Sequence, residues 1–223
     1  MKLYLWEVKK RSEINNFYVE GEMVLSTIIF GWIGILIFLT IIFTFQKMIK
    51  SNEYAFLHLL MAIMYALWLP LPFVLFLMLD SDVLLVGTVF GSVYLILLVI
   101  GMVLQTGHLA FIIKHNENGA ITDSQGNYMM ATLSHPYESL MNVFKCIWAI
   151  FLGIVFLQNE EIVMAGMMFL FGLFIFYYLV IILDASLIKR IRLFAKIKPN
   201  TFLVNFETLF FFITLLIYIT FKF

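Results

Sequence analysis

Six long apolar runs separated by short polar stretches make up most of this chain. They lie at about Met23 to Phe45, Tyr54 to Leu79, Val83 to Ile113, Leu140 to Leu157, Ile162 to Ile188 and Phe202 to Phe221. Each is near or above the roughly 20 residues that carry a helix across hydrocarbon. The pattern predicts an all-α, polytopic integral membrane protein with about six transmembrane helices. A polar N-terminal segment, 1–22, would precede a single helical membrane domain, 23–223, with a polar loop at about 114–139. The N-terminal segment mixes Lys9, Lys10 and Arg11 with Glu7, Glu13, Glu20 and Glu22 and holds no uninterrupted apolar stretch, so the first run itself is expected to be the membrane-entry signal. Pro70 and Pro72 remove two backbone donors from the second run and predict a kink there. The third is long enough to tilt or to project past the lipid, and its Gly87 and Gly91 read as a helix contact. No internal repeat is visible, so an inverted-repeat transporter is not supported.

Composition agrees with this class. Hydrophobic residues at 63%, charged residues at 13% and a mean hydropathy of +1.02 lie far outside soluble usage. A formal charge of zero removes the case for a nucleic-acid partner, which needs a basic face. Cys146, the single cysteine, excludes an internal disulfide. The charge distribution predicts orientation. Lys47 and Lys50 follow the first run, and Lys189, Arg190, Arg192, Lys196 and Lys198 follow the fifth, which places these loops in the cytoplasm. Asp80, Asp82, Glu160 and Glu161 mark loops without a basic residue, which places those outside and predicts a multi-pass protein of the cell membrane.

Ordered by depth, the polar residues inside the runs are lopsided. His58, Gln105, His108, Asn142, Lys145, Asp184 and Glu207 all fall toward the cytoplasmic end, whereas the opposite halves of the runs carry no charged residue. Because charge is costly in hydrocarbon, such residues face a partner, a watery cavity or the interface. Taken singly, Lys145 and Glu207 could snorkel, and Asp184 could pair with Lys145 or Lys189. Taken as a set, they predict a cytoplasm-facing polar pocket near His58, Gln105, His108, Asn142, Lys145, Asp184 and Glu207, capped by the loop that bears His135.

That loop holds most of the remaining chemistry: His115, Glu117, Asp123, Asn127, Tyr128, His135, Tyr137 and Glu138. Gly126-Asn127-Tyr128 is followed by Ser134-His135-Pro136-Tyr137 and then by an apolar hairpin, with Asp184 ahead of Leu187-Ile188-Lys189-Arg190. Over about Gly119 to Lys198 this order remotely resembles the isoprenylcysteine carboxyl methyltransferase and phospholipid methyltransferase group of membrane enzymes. There a Gly-x-Tyr turn precedes Arg-His-Pro-x-Tyr and an acidic residue follows the hairpin. Ser134 stands here where that group has Arg, Asp184 where it has Glu, and a sixth helix follows. The resemblance implies S-adenosylmethionine as cofactor, held by Tyr128, His135 and Asp184, and a lipid-like acceptor entering from the membrane. Methyl transfer chiefly needs donor and acceptor aligned, which a vestibule joining water to lipid can provide.

Other classes remain open. His58 and His108 lie at similar depth and could meet around haem or a metal, but no HExxH or CxxC supports a metal site, and satisfied structural histidines explain both. Ser134 beside His135 makes no triad, and no Gly-x-Ser-x-Gly elbow occurs. A non-enzymatic component, such as a transport or secretion subunit, a sensor or an immunity protein working with partner membrane subunits, stands level with the enzyme reading. Pro70 and Pro72 would suit a transport hinge, but a nearly nonpolar outer half offers no through-going path.

Overall fold

The computed structural model describes residues 2–116, 121–189, 191 and 194–223; for 2–20, Asp123, Asn127, Met130, Leu133 and Ala195 it describes the backbone alone. The helices are α1 (Lys2–Lys50), α2 (Tyr54–Leu67), α3 (Leu71–Leu79), α4 (Val83–His115), α5 (Asp123–Met129), α6 (His135–Gln158), α7 (Ile162–Leu173), α8 (Ile175–Ser186) and α9 (Thr201–Lys222). A π-helical turn, Met130–Ser134, joins α5 to α6, and a short 3-10 turn, Phe194–Lys196, precedes α9. With α2 joined to α3 and α7 to α8, six helices among the described residues are long and apolar enough to cross a membrane. Their outward faces carry Phe43, Val163, Phe176 and Phe202, all more than two thirds exposed, a surface that hydrocarbon tolerates and water does not.

The predicted kink at Pro70 and Pro72 is a full break, and its hydrogen bonds explain its form. Proline has no N–H to return to the carbonyl four residues earlier. The Ala66 carbonyl instead accepts from Leu69 N at 3.2 Å, and the Trp68 carbonyl from Leu71 N at 3.0 Å. Three-residue closures thus replace the α-helical ones, and the chain resumes as α3. The fifth run, expected to be continuous, is also interrupted. Phe174 N closes onto the Phe171 carbonyl at 3.2 Å, and that carbonyl also accepts from the Cys146 thiol at 3.5 Å. Gly172 lies at the break, where an added Cβ would fall 2.7 Å from Ile150 on α6. A close α6–α7 approach therefore accounts for an interruption that no proline announced. The polar loop differs from expectation as well, being helical from Asp123 through Ser134. Glu117, Asn118, Gly119 and Ala120, with Arg190 and Arg192, lie outside the described residues, as do the side chains of Asp123 and Asn127.

Helix α6 is central, packing on α4, α7 and α8, while α1 meets α2 and α9. The core is aromatic. Phe212 of α9 stacks on Trp68 with centroids 3.8 Å apart, and Phe211 meets Trp148 edge-on at 5.3 Å. Gly87 and Gly91 do form a helix contact: their faces of α4 receive Phe151 and Trp148 of α6. A Cβ at Gly91 would lie 2.5 Å from Trp148 Cδ2, a fully buried ring with little room to retreat. Gly91→Leu is accordingly expected to separate α4 from α6 and lower the melting temperature by many degrees, whereas Gly107→Leu, where nothing lies within 4 Å, should leave it near the parent value.

Candidate ligand-binding site

At one end of the bundle the helices surround a cavity of about 550 Å³. Its apolar wall comes from α1, with Phe38, Ile41, Phe45 and Ile49, and is continued by Leu57, Met61 and Leu109. Its polar wall is formed by His58, His135, Glu138, Asn142, Tyr178 and Asn205. Ile121, Thr122, Gly126 and Met129 border it from α5 and the residues before it. The contributing ends are the C-terminal ends of α1, α4 and α8 and the N-terminal ends of α2, α6 and α9. They lie beside Lys47, Lys50, Lys114, Lys189 and Lys198.

The first turns of α6 set the polar wall. Ser134, at the N-cap position of α6, makes no capping bond; its hydroxyl donates instead to Glu138 Oε1 at 2.8 Å. Gln105 of α4 donates to the same oxygen at 3.3 Å. Two donors hold the carboxylate, which also sits in the first turn of a helix, where negative charge is favoured. One turn on, Asn142 Nδ2 donates to the Glu138 carbonyl at 2.9 Å. His58 Nδ1 lies 2.7 Å from the Tyr54 carbonyl and donates to it, since a carbonyl can only accept. Tyr177 braces the mouth: its hydroxyl accepts from Asn200 N at 2.8 Å and donates to the Lys198 carbonyl at 3.3 Å, pinning the approach to α9 against α8.

Beneath the cavity lies a buried ion pair. Lys145 and Glu207 are essentially inaccessible, and Lys145 Nζ bonds Glu207 Oε2 directly. Thr208 Oγ1 accepts from the same ammonium at 2.9 Å, and the Tyr178 hydroxyl donates to Glu207 Oε2 at 2.9 Å. The rings of Tyr94 and Tyr178 lie 5.8 and 5.7 Å from Nζ, close enough for cation–π attraction. Lys145 follows His135 by ten residues, which is about 15 Å of helix. Depth and burial together correct the snorkelling expectation. The pairing of Lys145 with Asp184 is corrected too, since the ammonium goes to Glu207.

The expected pocket residues therefore divide. His58, His135 and Asn142 line the cavity; Lys145 and Glu207 lie beneath it, joined to it by Tyr178; Gln105 reaches it through Glu138. His108, Tyr128 and Asp184 are not among its described lining residues. Tyr128 is 65% exposed, and Asp184 Oδ1 and His108 Nε2 are buried with no hydrogen-bond partner among the described residues. His58 and His108 thus do not converge on this cavity, and the described residues hold no cluster of three or more His, Cys, Asp or Glu side chains suited to a metal. Tyr178 and Thr208 were missed by sequence reasoning; the only trace of the former was a tyrosine pair, Tyr177-Tyr178, within an apolar run. No protein-family model, curated protein or solved structure matches this chain.

Proposed function

We propose that this is a multi-pass protein of the cell membrane that binds an amphipathic, lipid-like molecule in its cytoplasm-facing cavity. The observation that carries the reading is the two-sided wall: an apolar strip along α1 faces polar side chains on α2, α6 and α9 in one space of about 550 Å³. Such a space suits a polar head with an apolar tail, because a small number of placed polar groups fixes orientation while apolar lining supplies affinity. The cytoplasmic orientation rests on the lysines gathered at this end. Cysteine placed at Thr201 or Asn205 should react with a membrane-impermeant maleimide from that side and be protected by a long-chain amphiphile; the native thiol, Cys146, is buried and should remain silent. Complete protection of both engineered thiols in the folded protein without any amphiphile would contradict the reading.

Methyl transfer to a lipid-like acceptor is the second reading. It is favoured by His135, the one residue of the three implied by the resemblance that borders the cavity. Saturable binding of labelled S-adenosylmethionine in nanodiscs, lost in a folded His135→Ala variant, would support it. Absence of binding would leave a non-enzymatic lipid-binding component, such as a sensor or transport subunit.

A further inference from the structure

We propose that the cavity selects a cationic head group, a protonated amine on an apolar tail; this inference rests on the lipid-binding reading above and names its ligand class. Three observations converge. Among the described lining residues there is one carboxylate, Glu138, and neither Lys nor Arg. The nearby ammonium of Lys145 is committed to Glu207 and Thr208, so it offers nothing to an incoming anion. A phosphate or carboxylate head would enter this space without a permanent countercharge, whereas an ammonium would find one.

The second observation is Asn142. It lines the cavity at 5% exposure, and its amide nitrogen is spoken for by the Glu138 carbonyl, which fixes the orientation of the amide. Oδ1 is then a buried acceptor with no hydrogen-bond partner among the described residues. Buried acceptors left unpaired are costly, so the group that completes this one must be a donor. An ammonium supplies several N–H donors and has no acceptor, which matches a carboxylate and an amide oxygen together.

The third observation is that two donors on the cavity wall are already committed and that the wall is partly aromatic. The His58 Nδ1 proton goes to the Tyr54 carbonyl and the Tyr178 hydroxyl proton to Glu207, so neither is available to an incoming anion. The rings of Tyr54 and Tyr178 add aromatic surface of the kind that favours cations over anions. The tail would lie along Phe38, Ile41, Phe45 and Ile49.

The test uses the full chain in phosphatidylcholine nanodiscs with three photoreactive twelve-carbon probes at equal bilayer loading: an amine, an alcohol and a phosphate. Cross-links are mapped by mass spectrometry. The amine should label the α1 strip about tenfold more strongly than the other two, the ratio expected of one charge-assisted hydrogen bond. Glu138→Gln should abolish the preference, so that the amine and the alcohol label the variant equally. Asn142→Leu should weaken the amine selectively, and thermal melting checks the fold of both variants. Equal labelling by all three probes, or amine labelling indifferent to both substitutions, would overturn the amine assignment while keeping the cavity as a lipid site. Absence of labelling at the α1 strip by every probe would overturn the lipid-binding reading with it.

Discussion

Lys145→Met is expected to destabilise the protein by about 3–5 kcal/mol, the cost of leaving one member of a buried ion pair uncompensated. The substitution removes the ammonium that Glu207 and Thr208 share and strands the carboxylate on α9, with only the Tyr178 hydroxyl still bonded to it. Glu207 Oε1 already has no hydrogen-bond partner among the described residues, so the site has little reserve with which to absorb the loss. The informative partner is the double variant Lys145→Met with Glu207→Leu. Replacing both charges by apolar groups of similar size removes the desolvation penalty along with the attraction, and is often neutral or better. Equilibrium unfolding in mixed micelles should therefore show a large loss in the single variant and recovery of most of it in the double. A single variant as stable as the parent would mean that the pair does not hold α6 to α9.

Trp68→Ala is the second large effect, at about 3–5 kcal/mol, as for other fully buried aromatics. Trp68 stacks on Phe212, meets Tyr65 and Phe38 edge-on at 5.8 and 6.2 Å, and donates its indole N–H to the Gly31 carbonyl at 3.1 Å. It thereby ties the α2–α3 break to both α1 and α9. Gly34 makes the approach possible, since a Cβ there would sit 2.5 Å from the indole nitrogen. Trp68→Phe separates the two contributions. It keeps a ring against Phe212 but loses the hydrogen bond, and should cost about 1–3 kcal/mol, because the Gly31 carbonyl loses its side-chain donor. Melting of both variants in detergent distinguishes packing from hydrogen bonding; equal losses in the two would contradict this division.

Hydropathy and residue counting were enough to find six helices, because a run of some 20 apolar residues admits few other structures. The break at Pro70 was legible for the same reason: a missing donor is written in the sequence. The break at Phe174 was not, because it follows from Gly172 meeting Ile150, a contact between two helices. The candidate site shows the same boundary. Depth along each run brought His58, Asn142, Lys145 and Glu207 to one end of the bundle, but depth says nothing of which way a side chain turns around its helix. That angle separates Asn142, on the cavity, from Lys145, one turn deeper and sealed beneath Tyr178, and it leaves His108 and Asp184 off the described lining. The residue order around His135 gave no warning that Ser134 and Gln105 would converge on Glu138, since that contact joins α4 to the start of α6.

The central claim is that one amphipathic molecule occupies the cavity, and native mass spectrometry of the protein released from nanodiscs tests it most directly. The control is Gly126→Trp, which places a large side chain on the cavity wall where the nearest atom to an added Cβ is 3.7 Å away. The account predicts one tightly retained lipid-like molecule on the parent chain and its loss from a variant that still unfolds in a single cooperative transition. A parent chain that retains nothing, or a variant that retains the same molecule equally well, would contradict it.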